Sequence, residues 1–272
     1  MNLNRLGGLV TKAITLKPRD GNPPPRIVET PAGMINSIGL ANVGVERFIT
    51  EKLPFLSQLN TVILVNVAGS TIEEYIAVVK RLESVEGIDG YEINISCPNV
   101  KHGGMAFGTE EESAYQLTTR LRKLTTRPLI VKLTPNVTHI GNIAKVVEEA
   151  GADAVSLINT VRAMMVDIHT RRPKISTIFG GLSGPAIKPI ALAKVYEVYQ
   201  AVKLPIIGMG GIMTCEDVIE FLLVGATAVQ IGTANFIDPK ICERLVDELE
   251  DYCKIHGINK ISELVGGLNI SS

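Results

Sequence analysis

Tyr91-Glu-Ile-Asn-Ile-Ser-Cys-Pro-Asn99 is a short alternating apolar run that stops at a cysteine set between serine and proline, with an asparagine on either side. Alternation closed by Ser, Pro and Asn reads as a β-strand running into a loop. The same unit recurs on both sides of it. Apolar strand runs begin near Val62, Tyr91, Leu129, Ala154, Ile206 and Ala228. Helical spacing follows over Thr71 to Val85, Thr109 to Leu124, Ile140 to Ala150, Lys188 to Val202, Cys215 to Val224 and Pro239 to His256. Such repetition predicts a parallel sheet with right-handed crossovers, wound into a barrel or left open with helices on both faces. At the joints Glu149-Ala-Gly-Ala-Asp153 and Val224-Gly-Ala-Thr227 a glycine ends the helix and a small-residue turn enters the next strand, which favours the barrel.

Gly8-Leu-Val-Thr-Lys-Ala-Ile-Thr15 is the first strand candidate, and with it the count falls one strand short of a closed (β/α)8 barrel. Met1 to Gly8 reads as the tail of a helix and its turn, so the missing first strand is expected to precede it and the chain to be N-terminally truncated. The proline-rich stretch Pro18 to Pro31 is expected to be irregular and to fold over the barrel mouth, with Asn36-Ser-Ile-Gly-Leu40 closing it. Val43 to Leu59 has helical spacing with a break expected at Pro54. Residues 1–272 read as a single domain, with no linker or low-complexity segment visible.

A chain of 272 residues with 46% hydrophobic content and a mean hydropathy of +0.24 can bury a large core. A net charge of −1 and 4% aromatic residues supply neither a basic face nor stacking platforms, which argues against nucleic-acid binding. No apolar run approaches the roughly 18 to 20 residues of a membrane span, and Met1 to Gly8 lacks the apolar centre of a signal peptide, so a cytoplasmic protein is expected. Cys97, Cys215, Cys242 and Cys253 form no CxxC pair and no metal-ligand spacing with the four histidines, and are read as free thiols.

In parallel α/β folds ligands bind at the C-terminal ends of the strands. There the sequence sets Lys12, Asn66, Asn94, Cys97, Asn99, Lys132, Asn136, Asn159-Thr160, Gly208-Met-Gly-Gly211 and Gly232-Thr233. An asparagine at one strand end is an ordinary turn former; amides at successive strand ends suit a planar heterocycle with alternating carbonyl and N–H groups. Two lysines supply positive charge for an anion or a reduced cofactor. The glycine groups at 208–211 and 232 precede helices and suit a phosphate, although Met213 breaks the GxGxxG spacing of a dinucleotide fold. Cys97 sits among Asn94, Ser96 and Asn99 with no histidine in local reach, which favours proton abstraction over acyl transfer. Cys215, Cys242 and Cys253 fall in helical patterns. Arg162 to Lys174, with Arg171-Arg172, reads as a solvated loop, or else as part of a lid or partner surface.

Lys12, Asn36-Ser-Ile-Gly-Leu40, Asn94-Ile-Ser-Cys-Pro-Asn99, Val131-Lys-Leu133, Ile158-Asn-Thr160, Gly181-Leu-Ser-Gly184, Gly210-Gly211 and Gly232-Thr233 resemble the dihydroorotate dehydrogenase family over nearly the whole chain. Cysteine at position 97 resembles the cytosolic class, and Asn99-Val-Lys-His-Gly-Gly-Met-Ala-Phe-Gly108 its NAD-linked heteromeric subclass. The resemblance implies a TIM barrel that binds FMN and oxidises dihydroorotate to orotate in pyrimidine biosynthesis. It implies Cys97 as the general base, Lys12 beside flavin and substrate, and Lys132 as the stabiliser of charge on the reduced flavin. It further implies Asn36, Asn94, Asn99, Asn159 and Thr160 on the substrate's polar edges, with Ser37, Ile38, Gly39 and Leu40 closing around it. Ala13, Asn66, Asn94, Ile158, Gly184, Gly210, Gly211, Gly232 and Thr233 would line the flavin and its phosphate.

The subclass works with an iron–sulfur flavoprotein subunit carrying FAD and a [2Fe–2S] cluster, around a homodimeric core in a heterotetramer; the cysteine spacing here suits no cluster of its own. The family opens with a hairpin and a first barrel strand that carries a glycine-rich FMN contact. Without them the chain is expected to bind FMN weakly or to fold poorly. Two other classes stay open on the residues alone: a non-redox phosphate-binding barrel (isomerase or aldolase-like lyase) using Lys12 or Lys132, and an inactive truncated barrel.

Overall fold

The computed structural model describes residues 1–96 and 107–270. A short 3₁₀ turn at Leu3–Arg5 leads into β1 (Gly8–Val10), and a hairpin follows, β2 (Ile27–Thr30) and β3 (Gly33–Asn36). The helical stretch comes as α1 (Gly44–Arg47), a π-helical turn (Phe48–Lys52) and α2 (Leu53–Leu56), the last with Pro54 in its first turn, where a missing N–H costs nothing. The break expected at Pro54 is not found: the helix runs without interruption from Gly44 to Leu56, and its change of hydrogen-bonding pattern falls before Leu53.

From β4 (Val62–Val67) the alternation is regular: α3 (Ile72–Glu83), β5 (Gly90–Asn94), α4 (Glu111–Arg122), β6 (Leu129–Lys132), α5 (Ile140–Glu149) and β7 (Ala154–Leu157). An excursion of short strands then intervenes, β8 (Val161–Ala163), β9 (Val166–Asp167), β10 (Arg172–Pro173) and β11 (Gly180–Ser183). The alternation resumes with α6 (Lys188–Ala201), β12 (Ile206–Met209), α7 (Cys215–Leu223), β13 (Ala228–Gln230) and α8 (Ile241–His256).

Among the described residues β1–β4–β5–β6–β7–β12–β13 form one parallel sheet, in sequence order, as the strand–helix rhythm requires. Its central strands are apolar on the face that the helices cover, where Val65, Tyr91, Val131, Val155 and Leu157 have no solvent exposure, while the alternate positions, facing the inside of the curve, carry Asn66, Glu92, Asn94, Lys132 and Ser156. The helices supply matching stripes. In α3, Ile72, Tyr75, Val78, Val79 and Leu82 are buried at three- and four-residue spacing, while Thr71 Oγ1 accepts the Glu74 N–H at its start.

Among the described residues β1 and β13 each pair on one side only, and each begins on an exposed residue, Gly8 and Ala228. The N-terminal turn reaches across: Arg5 pairs with Asp247 and Glu243 of α8, while Asn4 Oδ1 accepts the Asn60 N–H at 2.8 Å.

Two expectations are corrected. Pro18 to Pro31 is not wholly irregular, because its prolines stop at Pro25 and leave Ile27-Val-Glu-Thr30 free to pair; Pro31 sits in the turn that follows. Arg162 to Lys174 is not simply loop. Val161–Ala163 pairs with β11, and Val166–Asp167 pairs with Arg172–Pro173 around a turn in which Asp167 Oδ1 accepts the His169 and Thr170 N–H groups. The strands β2, β3, β11 and β8 form a second, antiparallel sheet.

Asp217 shapes the turn ahead of α7. Its Oδ2 accepts the N–H groups of Met213 (2.7 Å) and Thr214 (2.9 Å), and its Oδ1 meets Lys188 Nζ at 2.6 Å. Burial raises its pKa, but the Lys188 bond and the two N–H groups outweigh burial and hold the carboxyl below the usual aspartate range. A carboxylate so lowered contributes stability at neutral pH that is lost as pH falls through its folded-state pKa. Asp217→Asn is therefore expected to lose about 1–3 kcal/mol in thermal or urea melts at pH 7, and the gap to the parent to shrink below about pH 4.

Candidate active site

A β-strand sends alternate side chains to one face, so the parallel register decides which polar residues meet inside the curved sheet. Asn66 pairs with Glu92, Asn94 with Lys132, and Lys132 with Ser156, so these side chains share the interior face. All of them but Ser156 line a cavity of about 1630 Å³ at the C-terminal strand ends. A smaller cavity of about 180 Å³ adjoins it, sharing Lys132, Asn159, Thr160, Gln230 and Gly232.

Lys12 and Ala13 follow β1 and line the large cavity together with the segment 36–40. Asn36, Ser37, Ile38, Gly39 and Leu40 form a turn on its rim whose shape is over-determined. Asn22 N–H donates to the Ile38 carbonyl (3.0 Å), Asn22 Nδ2 to the Ser37 carbonyl (2.9 Å), and Asn42 Nδ2 to the Leu40 carbonyl (2.8 Å). Gly39 has φ +73°, and a Cβ there would lie 2.7 Å from the Asn22 nitrogen; Leu40 itself holds φ +58°. Strain of this kind persists only where neighbours enforce it.

Asn94 ends β5 and uses its Oδ1 to accept the Ser96 N–H at 3.1 Å, while Ser96 Oγ donates to the Lys132 carbonyl at 3.1 Å. These bonds tie the chain just before position 97 to the end of β6. Cys97 and Asn99, with the motif as far as residue 106, lie outside the described residues. Asn159 and Thr160 follow β7, and Thr160 packs so closely on Gly181 that a methyl there would collide with it. Asn136, set at a strand end by the sequence, braces this corner: its Nδ2 donates to the Thr160 carbonyl (3.1 Å) and its Oδ1 accepts the Arg162 N–H (2.9 Å).

Ile158, Gly184, Gly210, Gly211, Gly232 and Thr233 line the small cavity. Two kinds of glycine occur there. Gly211 has φ +82° and a Cβ would lie 2.8 Å from Lys188 Cβ, so the chain's own packing requires glycine. Gly232 has φ −112° and a Cβ there would meet nothing within 4 Å. The fold does not forbid a side chain at 232; a bound group drawn against the backbone would.

Deeper in the large cavity Glu92 is fully buried, and Asn66 Nδ2 donates to it. That bond leaves Asn66 Oδ1 buried and without a partner, an acceptor waiting for a donor. Lys132 Nζ stands 3.9 Å from the same carboxylate. Sequence reasoning missed Glu92, Ser156, Gln230 and Ser183, whose Oγ accepts from Thr233 Oγ1 at 2.8 Å. Glu92 had a signal, a charge two residues before Asn94 inside an apolar strand and hence on the same face. Cys215 is buried at the start of α7, and Cys242 and Cys253 lie in α8. Among the described residues no group of acidic, His or Cys side chains is arranged to hold a metal, and no helix is long and apolar enough to cross a membrane.

A parallel α/β barrel-type sheet whose C-terminal strand ends set lysines, amides and glycines around one cavity is the architecture of an α/β barrel enzyme. The chain belongs to the dihydroorotate dehydrogenase family, whose model matches residues 1–253. It is 52% identical to the catalytic subunit of dihydroorotate dehydrogenase B (NAD(+)) of Geotalea uraniireducens (strain Rf4) over 268 residues, covering 98% of this chain and 88% of that protein. The corresponding subunit of Citrifermentans bemidjiense is 52% identical over 270 residues (99% and 88% covered), and that of Thermoanaerobacter sp. (strain X514) 51% (99% and 89%).

Lys12 gives this mouth a testable pH dependence. It remains exposed on one side; the part sunk in the wall, and after that the charge of Arg26, push its ammonium below the ordinary lysine range. An anion that pairs with it binds fully below that lowered pKa and is released as pH rises through it. Titration calorimetry with orotate is expected to give an alkaline loss of affinity that starts below the ordinary lysine range. Lys12→Met should bind about tenfold more weakly at neutral pH and lack that alkaline limb.

Proposed function

We propose that this chain oxidises dihydroorotate to orotate in pyrimidine biosynthesis with FMN bound at the cavity floor. The observation that carries the reading is the convergence of Lys12, the 36–40 turn, Asn94, Lys132 and Asn159-Thr160 on one cavity that opens into a glycine-lined recess. FMN fits the residues present: the open backbone at Gly232 leaves room for a phosphate, and Asn66 Oδ1 lacks a donor that a flavin ring can supply. Gly184, Gly210, Gly211, Gly232 and Thr233 would hold the phosphate, and Ala13, Asn66, Asn94, Lys132 and Ile158 the ring.

Bound FMN supplies the hydride acceptor that this oxidation needs. Cys97, as thiolate, takes the C5 proton of the substrate. Asn36, Asn94, Asn99, Asn159 and Thr160 orient the substrate's amide edges, Ser37 to Leu40 exclude water above it, and Lys12 pairs with its carboxylate. Lys132 offsets the negative charge that develops as the C6 hydrogen leaves. Electrons pass onward to NAD through a partner subunit carrying FAD and a [2Fe–2S] cluster, with two copies of this chain at the core of a cytoplasmic heterotetramer. The word "catalytic subunit" in the names of the relatives supports a partner.

Protein reconstituted with excess FMN is expected to turn yellow and to lose that colour when dihydroorotate is added without oxygen. A protein that takes up FMN yet is not bleached, or that takes up none, sinks the reading. Cys97→Ala should bleach about 10²- to 10⁴-fold more slowly at unchanged FMN occupancy. Cys97→Ser should recover part of that rate as pH rises, because its hydroxyl is the weaker acid.

A further inference from the structure

Glu92 lies in the middle of β5 with no solvent exposure. A carboxylate taken out of water is tolerated only where donors and a counter-charge surround it. Here Oε1 accepts from Ser156 Oγ at 2.8 Å and from Gln230 Nε2 at 2.9 Å. Oε2 accepts from Asn66 Nδ2 and lies 3.9 Å from Lys132 Nζ. The four partners stand on β4, β6, β7 and β13, so one side chain of β5 gathers groups from across the sheet. Stability alone does not call for a charge at this level, since the residue directly paired with Glu92 on β6 is the buried Ile130. Two of the partners have free chemistry left. With Nδ2 committed to Glu92, the Asn66 amide can face only one way, which leaves Oδ1 as a buried acceptor without a donor. The Lys132 ammonium is drawn down toward the carboxylate yet still lines both cavities.

We propose that Glu92 is a positioning residue for the cofactor: it fixes the orientation of the Asn66 amide and anchors the Lys132 ammonium, so that an acceptor and a positive charge are presented together. That pair matches the imide edge of an isoalloxazine, which offers an N–H and takes on negative charge when reduced. The proposal rests on the FMN reading above. Glu92 acts through these two neighbours.

Glu92→Gln keeps the shape and removes the charge. Flavin fluorescence titration is expected to give about tenfold weaker FMN binding. The midpoint potential of the bound flavin, measured against equilibrating dyes, should become more negative as the loosened ammonium stabilises the reduced form less. In a Lys132→Met background the same substitution should leave the potential unchanged. A more positive potential that persists without Lys132 would mean that Glu92 acts as a bare charge, and would overturn the proposal. So would unchanged affinity and potential with only a lower melting temperature. Should Glu92→Gln fail to fold, Ser156→Ala removes one bond to the carboxylate and is expected to shift both readouts in the same direction by less; no shift in either overturns the proposal. Parent protein that binds no FMN refutes the functional reading, whereas a variant indistinguishable from an FMN-binding parent refutes only the role of Glu92.

Discussion

A carboxylate sealed inside a parallel sheet constrains everything around it. Glu92 can stay buried only while Asn66, Ser156 and Gln230 donate to it and Lys132 stands near, and those residues reach it only if their strands hold one register. A slip of one residue in β4 or β7 would turn Asn66 or Ser156 to the helix side and strand the charge. The apolar core on the other face, with Val65, Val131 and Val155 at zero exposure, would tolerate some repacking; the polar face would not. The site therefore inherits its precision from a requirement of the fold, and Lys132 and Asn66 are held in place by the interaction that makes burial of Glu92 affordable.

Above this floor, the second sheet and the turns at the rim are organised by hydrogen bonds more than by apolar contact. The 36–40 turn is tied by Asn22 and Asn42, and β3 carries it against β11 through the pairs Asn36–Gly181 and Met34–Ser183. Polar ties of this sort hold a short segment in a strained conformation, which a small apolar contact could not do. The Gly210–Met213 turn follows the same pattern, with Asp217 and Lys188 beneath it.

Much of this was legible in the sequence because the parallel strands are long enough to show their period and are punctuated by glycine and asparagine. Val62, Leu129, Ala154, Ile206 and Ala228 are true strand starts, and β5 begins one residue before Tyr91. The hairpin Ile27–Asn36 was hidden by its neighbours, since Pro18 to Pro25 and Pro31 dominate any local reading of that stretch. In the 161–183 excursion β8, β9 and β10 were hidden by length, as two or three residues with no helix after them carry no period, and β11 by its Gly-Gly-Leu-Ser composition, which reads as a turn. The candidate lysines, asparagines and glycines could be listed because strand ends are where they stand out. Glu92, Ser156 and Gln230 escaped because each looks like a lone polar residue until the register brings them together.

Charge along the axis of the sheet has a direction. Lys12, with Arg26 near enough to lower its pKa, and Arg162, whose guanidinium stacks 3.8 Å above the Phe179 ring, stand at the mouth. Lys132 lies below them, and Glu92 at the floor is enclosed by neutral donors and that one ammonium. Field lines from the mouth cations are focused into a cavity with low-dielectric walls, which draws in an anion and raises its local concentration. The carboxylate at the bottom is offset by the Lys132 ammonium 3.9 Å away and solvated by the Asn66, Ser156 and Gln230 donors, so the two floor charges oppose each other and the cations at the mouth set the sign. An anion entering the cavity thus meets positive charge at the rim and, on the floor, an ammonium held beside the carboxylate that orders it.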